Sequence, residues 1–342
     1  MKKKFLLYAC CLPVRGYKRS IIVDTQRQCV YFIPNTMFFV LKELRMKDID
    51  LIKEEYSNPE MIDKYIAFLL SKELGYFSDD SDCFPNIAFG YESPYLITNA
   101  IVVINEQSKH NYNKIFLSLE EVSCQAIELR ILYDIPPKKI KEILDTLNSL
   151  HLSFYSITLI LPYSHNFDRK IKDIVSCYPL ITHIFMYQSP LQSERIVNQT
   201  TIRQIIDKQI ECGNVSPKYF SPNLKMFIES QSRNSCLNQK VCIDYDGSIK
   251  NCPAMKRIYG YLSTDKLIDI VRSSDFTSVW TITKDSIMVC KDCEFRYICL
   301  DCRVFTSNKN NIYSHPLKCK YNPYIAKWEK DDGYTPIEYI NR

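Results

Sequence analysis

Eight of the fifteen cysteines lie between Ser235 and Lys320: Cys236, Cys242, Cys252, Cys290, Cys293, Cys299, Cys302 and Cys319. Thiolates ligate soft metals, and eight make two complete sets of four, the number two [4Fe-4S] clusters need. The spacing supports ligation. Cys290-x2-Cys293 and Cys299-x2-Cys302 stand five residues apart, each a tight turn whose two thiols reach one metal centre. Upstream, Ile243-Asp244-Tyr245-Asp246-Gly247-Ser248-Ile249 reads as a hairpin, with Asp first and Gly fourth in a type I turn. If Gly247 forms the left-handed bulge of a three-residue loop, Cys242 and Cys252 share one face of the hairpin; a two-residue loop sends them to opposite faces. Zinc is the alternative metal. Four-cysteine zinc sites also use CxxC turns, commonly with roughly 15–20 residues between the pairs.

The remaining cysteines, Cys10, Cys11, Cys29, Cys83, Cys124, Cys177 and Cys212, show no paired spacing apart from the adjacent Cys10 and Cys11, and read as small buried hydrophobes. His110, His151, His165, His183 and His315 are scattered without ligand spacing and read as loop or packing residues. No catalytic group is identified.

Composition narrows the chemistry further. An odd number of cysteines in a chain without a long apolar segment points to metal ligation in a reducing compartment, hence a cytoplasmic protein and no membrane span. Lys2, Lys3 and Lys4 before Phe5-Leu6-Leu7-Tyr8-Ala9-Cys10 faintly resemble a secretory leader, but the apolar run stops at Pro13 and Arg15, Lys18 and Arg19 follow; a short strand explains it as well. There are 7 glycines in 342 residues, about 2% where roughly 7% is usual. None are adjacent or separated by a single residue, which excludes phosphate-cradling GxGxxG and P-loop turns. The 44 basic and 39 acidic residues are interspersed, so no basic stripe for nucleic acid forms.

The elements that position these groups divide into three stretches. Over 1–80, Ser20–Asp24 and Cys29–Ile33 form a predicted hairpin, followed by three helices: one from the apolar run Met37–Leu41, one from Ile49, Ile52 and Tyr56, and one capped by Asn58 with Pro59 at its first position. Ile62, Ile66, Leu69 and Leu70 share a face of the third, and Gly75 is its predicted end. Pro85, Gly90 and Pro94 mark a linker. Over 81–230, strand-like Leu96–Ile104, Ala126–Leu132, Phe154–Leu161 and Ile181–Tyr187 are separated by helix-like Pro137–Leu150 and Phe167–Cys177. That alternation predicts an α/β fold with parallel strands, either a partial (βα) barrel or an open sheet. The third stretch, 231–342, holds the thiols.

The hairpin and three helices resemble the winged-helix peptide-recognition element of ribosomal-peptide maturation systems, which adds a leader peptide as a strand to its sheet edge; a purely structural subdomain is the alternative. Cys236-x10-Gly247-x4-Cys252, Cys290-x2-Cys293-x5-Cys299-x2-Cys302 and Cys319 are similar to the SPASM pattern CX9-15GX4C, CX2CX5CX3C, C, with x2 for x3 before Cys302. That resemblance implies two auxiliary [4Fe-4S] clusters, one on Cys236, Cys242, Cys252 and Cys302 and one on Cys290, Cys293, Cys299 and Cys319. The radical SAM motif CxxxCxxC is missing: Asn105 to Asn113, after the first barrel strand, has no cysteine, Cys124 stands alone, and there is no Gly-Gly for the cofactor's methionine moiety. The middle stretch therefore resembles a degenerate radical SAM barrel, and no S-adenosylmethionine is expected. With Arg19-Ser20-Ile21-Ile22, Tyr31-Phe32-Ile33-Pro34-Asn35, Cys236-Leu237-Asn238, Asn251-Cys252-Pro253 and Cys290-Lys291-Asp292-Cys293-Glu294-Phe295-Arg296-Tyr297, the whole chain resembles the SPASM-domain maturase of grasp-with-spasm systems. The resemblance implies an accessory maturation factor that binds a precursor peptide and partners an ATP-grasp ligase. A redox enzyme or electron carrier and a zinc-stapled binding protein are the rival readings.

Overall fold

The computed structural model describes residues 3–190, 194–204 and 212–337. Lys2 of the charged start lies outside them. The chain forms two compact units, one of Met1–Tyr91, Gly213–Ser235 and Ile282–Arg342, the other of Glu92–Cys212 and Cys236–Thr281. The consecutive stretches 1–80, 81–230 and 231–342 are thus distributed over two bodies, and the thiol-rich stretch is divided between them.

The first unit opens with β1 (Lys4–Leu7), β2 (Cys11–Arg15), β3 (Ser20–Asp24) and β4 (Cys29–Ile33). It continues through α1 (Asn35–Met46), α2 (Ile49–Glu55), α3 (Pro59–Ser71) and β5 (Gly75–Ser78). β3 and β4 pair as the hairpin read from the sequence, and β2 joins on the other side to make an antiparallel sheet ordered β2-β3-β4. Alternation assigns its faces. Ile22 and Ile33 pack with the helix residues Met37, Val40, Ile52, Ile62 and Leu69, while Val14, Ile21 and Val23 pack with Phe227, Phe295, Ile298 and Tyr321. Asn58 caps α3 as expected, its side chain accepting from Met61 N at 3.2 Å. Leu70 departs from expectation: it is exposed, and Leu69 and Leu74 take the core positions. Gly75 does not end α3. The helix stops at Ser71, Glu73 takes the left-handed conformation at φ 53°, and Gly75 begins β5, where a Cβ would stand 2.3 Å from Leu6 O of its partner strand β1. The apolar start is a strand, with Phe5 and Leu6 buried.

The second unit contains β6 (Asn99–Ile104), α4 (Tyr112–Glu121), β7 (Ala126–Ile131), α5 (Pro137–Ser149), β8 (Ser156–Pro162), α6 (His165–Cys177) and β9 (Ile181–Tyr187), then β10 (Glu194–Val197) and β11 (Thr200–Gln204). After α7 (Leu224–Ser232), which belongs to the first unit, come β12 (Lys240–Ile243), β13 (Ser248–Lys250), β14 (Gly260–Tyr261) and α8 (Leu267–Arg272). The α/β expectation holds: nine strands form one sheet ordered β10-β11-β9-β8-β7-β6-β12-β13-β14, parallel from β11 through β12. α4 is an addition to the sequence reading. Consecutive strands β6 to β9 lie side by side, so right-handed crossovers put α4, α5 and α6 on one face. Of the two arrangements expected, the strands take the open sheet, whose antiparallel ends are β10–β11 and β12–β13–β14. No helix among the described residues is long and apolar enough to cross a membrane.

Candidate metal centres

In the first unit the sequence from Ile282 onward has little regular structure to organise it. Its described elements are 3-10 turns, among them Lys284–Ser286 and Cys290–Asp292, and the two-residue pairing of β15 (Tyr321–Asn322) with β16 (Lys327–Trp328). What this stretch shares is a cavity of about 30 Å³, lined by Cys290, Cys293, Cys299 and Cys319 together with Phe295, Tyr321 and Trp328. Cys290 and Cys293 reach it from one tight turn, Cys293 N donating to Cys290 O at 3.0 Å. Cys319 arrives on a turn closed by its own N–H on Pro316 O at 3.0 Å. Val289, just before the first thiol, sits at φ 70°, a left-handed conformation a β-branched residue rarely adopts. Strain of this kind persists only where the surroundings impose it.

The aromatic wall is continuous: Phe295 meets Tyr321 at 5.2 Å and Phe220 at 4.9 Å between ring centroids, and Tyr321 meets Trp328 at 4.8 Å. Burial there opposes ionisation. It pushes the Cys290 thiol up to about 12 and the Cys319 thiol to about 11, and raises Cys293 well above its ordinary value. Four thiols in such a place become good ligands only when a cation replaces their protons. One positive charge is already present: Lys284, 4% exposed, donates from Nζ to Cys299 Sγ at 3.2 Å.

Glu294 fixes this loop from behind. Its carboxylate is buried, receives the Arg19 Nε–H at 2.8 Å and accepts the Tyr321 hydroxyl, so residues beside Cys293 and Cys319 are tied to the β2–β3 turn. Gly16 leaves room for it, since a Cβ there would lie 2.9 Å from Glu294 Cβ and N.

In the second unit, the β12–β13 hairpin decides the face on which Cys242 and Cys252 lie. Asp244 N donates to Ser248 O at 2.8 Å, Gly247 N to Asp244 O at 2.9 Å, and Gly247 has φ 83°, so the loop is the three-residue form with a glycine bulge. Cys242 pairs with Lys250, and two residues on Cys252 returns to the same face. Asn251 anchors that bend, donating to Phe276 O at 3.1 Å and accepting from Trp280 Nε1 at 3.1 Å. Cys242 is fully buried with Ile101 and Val103, and Lys240 Nζ lies 3.7 Å from Cys236 Sγ. Burial pushes Cys252 up to about 11 and raises Cys242 well above its ordinary value.

Cys302 belongs to the first unit, where its Sγ is 3.2 Å from the position a Gly213 Cβ would take. Its neighbour Asp301 is buried in an ion pair with Arg303 and accepts from Asn234 Nδ2 at 2.9 Å. The quartet Cys236, Cys242, Cys252 and Cys302 is therefore described in two parts, three thiols in one unit and one in the other. The quartet Cys290, Cys293, Cys299 and Cys319 is brought together whole. No disulfide joins any of the fifteen cysteines.

Among the described residues, the only set of three or more ligand atoms within 4.8 Å of one another is Cys10, Cys11 and Asp24. No three of the four cavity thiols therefore lie within 4.8 Å of one another, whereas a tetrahedron of about 2.3 Å Zn–S bonds sets all four about 3.8 Å apart. A cubane, whose irons each take one thiolate, spaces them further apart and fits this donor set better. The lining residues Lys284 and His315 were missed as site residues, although His315 stands four residues before Cys319, a spacing that could have flagged it.

No protein-family description matches the sequence, and no curated protein matches it. Two solved structures are similar over 91% of this chain and 98% of theirs: SuiB of Streptococcus suis bound to S-adenosylmethionine, at 9% identity and TM-score 0.31, and SuiB bound to its precursor peptide SuiA, at 10% identity and TM-score 0.30.

Proposed function

We propose that this chain is an accessory maturation factor for a ribosomally synthesised peptide, holding two [4Fe-4S] clusters and presenting the precursor to an ATP-grasp ligase in the cytoplasm. The observation that carries the reading is the convergence of Cys290, Cys293, Cys299 and Cys319 on one small aromatic-walled cavity, at a spacing wider than one zinc ion takes. The SPASM-like spacing of the full cysteine set supports the second cluster. A cluster bound there would supply a one-electron centre or a rigid crosslink; Cys290, Cys293, Cys299 and Cys319 would hold it, Phe295, Tyr321 and Trp328 would exclude water from it, and Lys284 would offset its charge.

The peptide role draws support from the sheet of the first unit. β4 is an edge strand, and alternation along the ladder turns the backbone groups of Val30 and Phe32 outward while Cys29, Tyr31 and Ile33 pair with β3. Phe32 is 51% exposed. An extended peptide can add there by backbone hydrogen bonds, with specificity left to pockets for alternate side chains. β2, the other edge, carries Pro13 and suits this less.

Anaerobic purification followed by iron and sulfide analysis tests the metal reading: about eight of each per chain are expected. Two zinc ions and a colourless preparation establish the zinc-stapled alternative. Reduced protein is expected to leave S-adenosylmethionine intact; cleavage that depends on this chain overturns the non-radical role. An electron-transfer role is the second reading, favoured by the Lys284 ammonium beside Cys299, which stabilises an added electron. Reversible cluster reduction coupled to peptide turnover decides for it.

A further inference from the structure

Beyond Cys236, Cys242 and Cys252, the second unit holds Cys124, Cys177 and Cys212. Cys212 reads from the sequence as a packing residue, and Cys124 shows what that looks like here: fully buried, its thiol on Ala126 O at 3.3 Å and pushed up to about 12 by burial. Cys212 has different company. Its Sγ lies 3.8 Å from Arg130 Nη1, and Lys240, whose Nζ is 3.7 Å from Cys236 Sγ, lies in the combined field of Cys236, Cys252 and Cys212.

Strand register explains the gathering. Cys242 pairs with Ile101 of β6, and Ile101 with Glu128 of β7, so Cys242 and Glu128 stand on one sheet face, with Lys240 and Arg130 two residues along on the same side. The hairpin returns Cys252 to that face, and Cys252 in turn feels both Cys236 and Cys212. Two cations, Lys240 and Arg130, the latter also paired with Glu128 at 2.6 Å, therefore face four thiols. With Glu128 offsetting one of them, a net positive charge is left to face the thiols, the sign that favours thiolates in a partly buried site.

We propose that Cys212 is a metal-ligating thiol, completing with Cys236, Cys242 and Cys252 a four-cysteine site held wholly by the second unit. The inference rests on the iron-sulfur reading above. It gives each compact unit its own quartet, with Cys302, whose Sγ is 3.2 Å from where a Cβ on Gly213 would stand and where the SPASM-like spacing is a residue short, as the rival for the fourth place.

The test uses the full chain, purified anaerobically, as wild type, Cys212→Ser, Cys302→Ser and Cys293→Ser, with iron, sulfide and electron paramagnetic resonance measured on each. Cys212→Ser is expected to lose about half of the iron and one of two spectral components, the component that Cys293→Ser retains, while Cys302→Ser keeps the wild-type content. Full iron in Cys212→Ser overturns the proposal. An iron-free wild type fails the cluster reading instead, so the two failures are told apart. If Cys212→Ser does not fold, alkylation of the wild-type chain decides: Cys212 is expected to be protected with iron bound and labelled after chelation, and equal labelling in both states overturns the assignment.

Discussion

Arg19 shows how much one side chain near the thiols carries. Its guanidinium sits 3.8 Å from the Phe32 ring centroid and pairs with the buried Glu294 at 2.8 Å. Arg19→Ala leaves that carboxylate to the Tyr321 hydroxyl without its cation, and is expected to cost about 3 kcal/mol in urea unfolding, as breaking a buried pair does. Adding Glu294→Gln should recover part of the loss, because the stranded charge is gone. A second residue-scale effect is pH dependence at His110. Burial outweighs its hydrogen bond to Val103 O and lowers its native value below the ordinary 6.5. The unfolded chain then binds the proton more readily, so stability is complete above about pH 6.5 and declines as pH falls through the lowered native value. The thermal midpoint should drop less between pH 7.5 and 5.5 in His110→Gln than in wild type; equal drops assign the dependence elsewhere.

At the scale of elements, β1 and β5 touch through a glycine. A Cβ on Gly75 meets Leu6 O at 2.3 Å and the Phe5 ring at 2.6 Å, and the backbone atom cannot yield without parting the strands. Gly75→Ala should therefore destabilise by about 2 kcal/mol, read as a lower thermal midpoint. The β4 edge offers a cleaner functional probe. Phe32→Pro removes an outward-facing N–H, which edge strands tolerate, so the fold should persist by circular dichroism while precursor affinity falls about tenfold or more. Unchanged affinity removes β4 as the docking edge.

For the whole molecule, the stretch from Ile282 is the part that the proposed cluster would stabilise most. It has short turns and a two-residue strand pair where other parts of the first unit have helices and a three-stranded sheet. On the proposed cluster reading, metal bonds would stand in for a core, and binding free energy would become folding free energy. Iron removal should lower the thermal midpoint and raise amide exchange over residues 284–328 before the β2-β3-β4 sheet exchanges. Uniform exchange would show the stretch to be self-supporting.

Much of this was legible in the linear chain for physical reasons that are themselves local. The β3–β4 hairpin, the Asn58–Pro59 start of α3 and the strands β7 to β9 follow from turn chemistry, capping and periodicity, which act within a few residues. The glycine bulge at Gly247 belongs here too, since the sequence posed the alternatives even though only the register chose between them. α4 escaped because its apolar face is narrow, with Ile115, Phe116 and Leu119 buried amid polar neighbours. Gly75 was misplaced because close strand approach, a tertiary constraint, outweighed its helix-ending habit. Thiol chemistry and spacing singled out eight cysteines as candidate ligands in two sets of four. Tertiary structure alone decided which thiols share a cavity, that Lys284 and Lys240 stand beside them, and that Cys212 keeps charged company, because long-range register brings together residues whose sequence separation carries no trace of it.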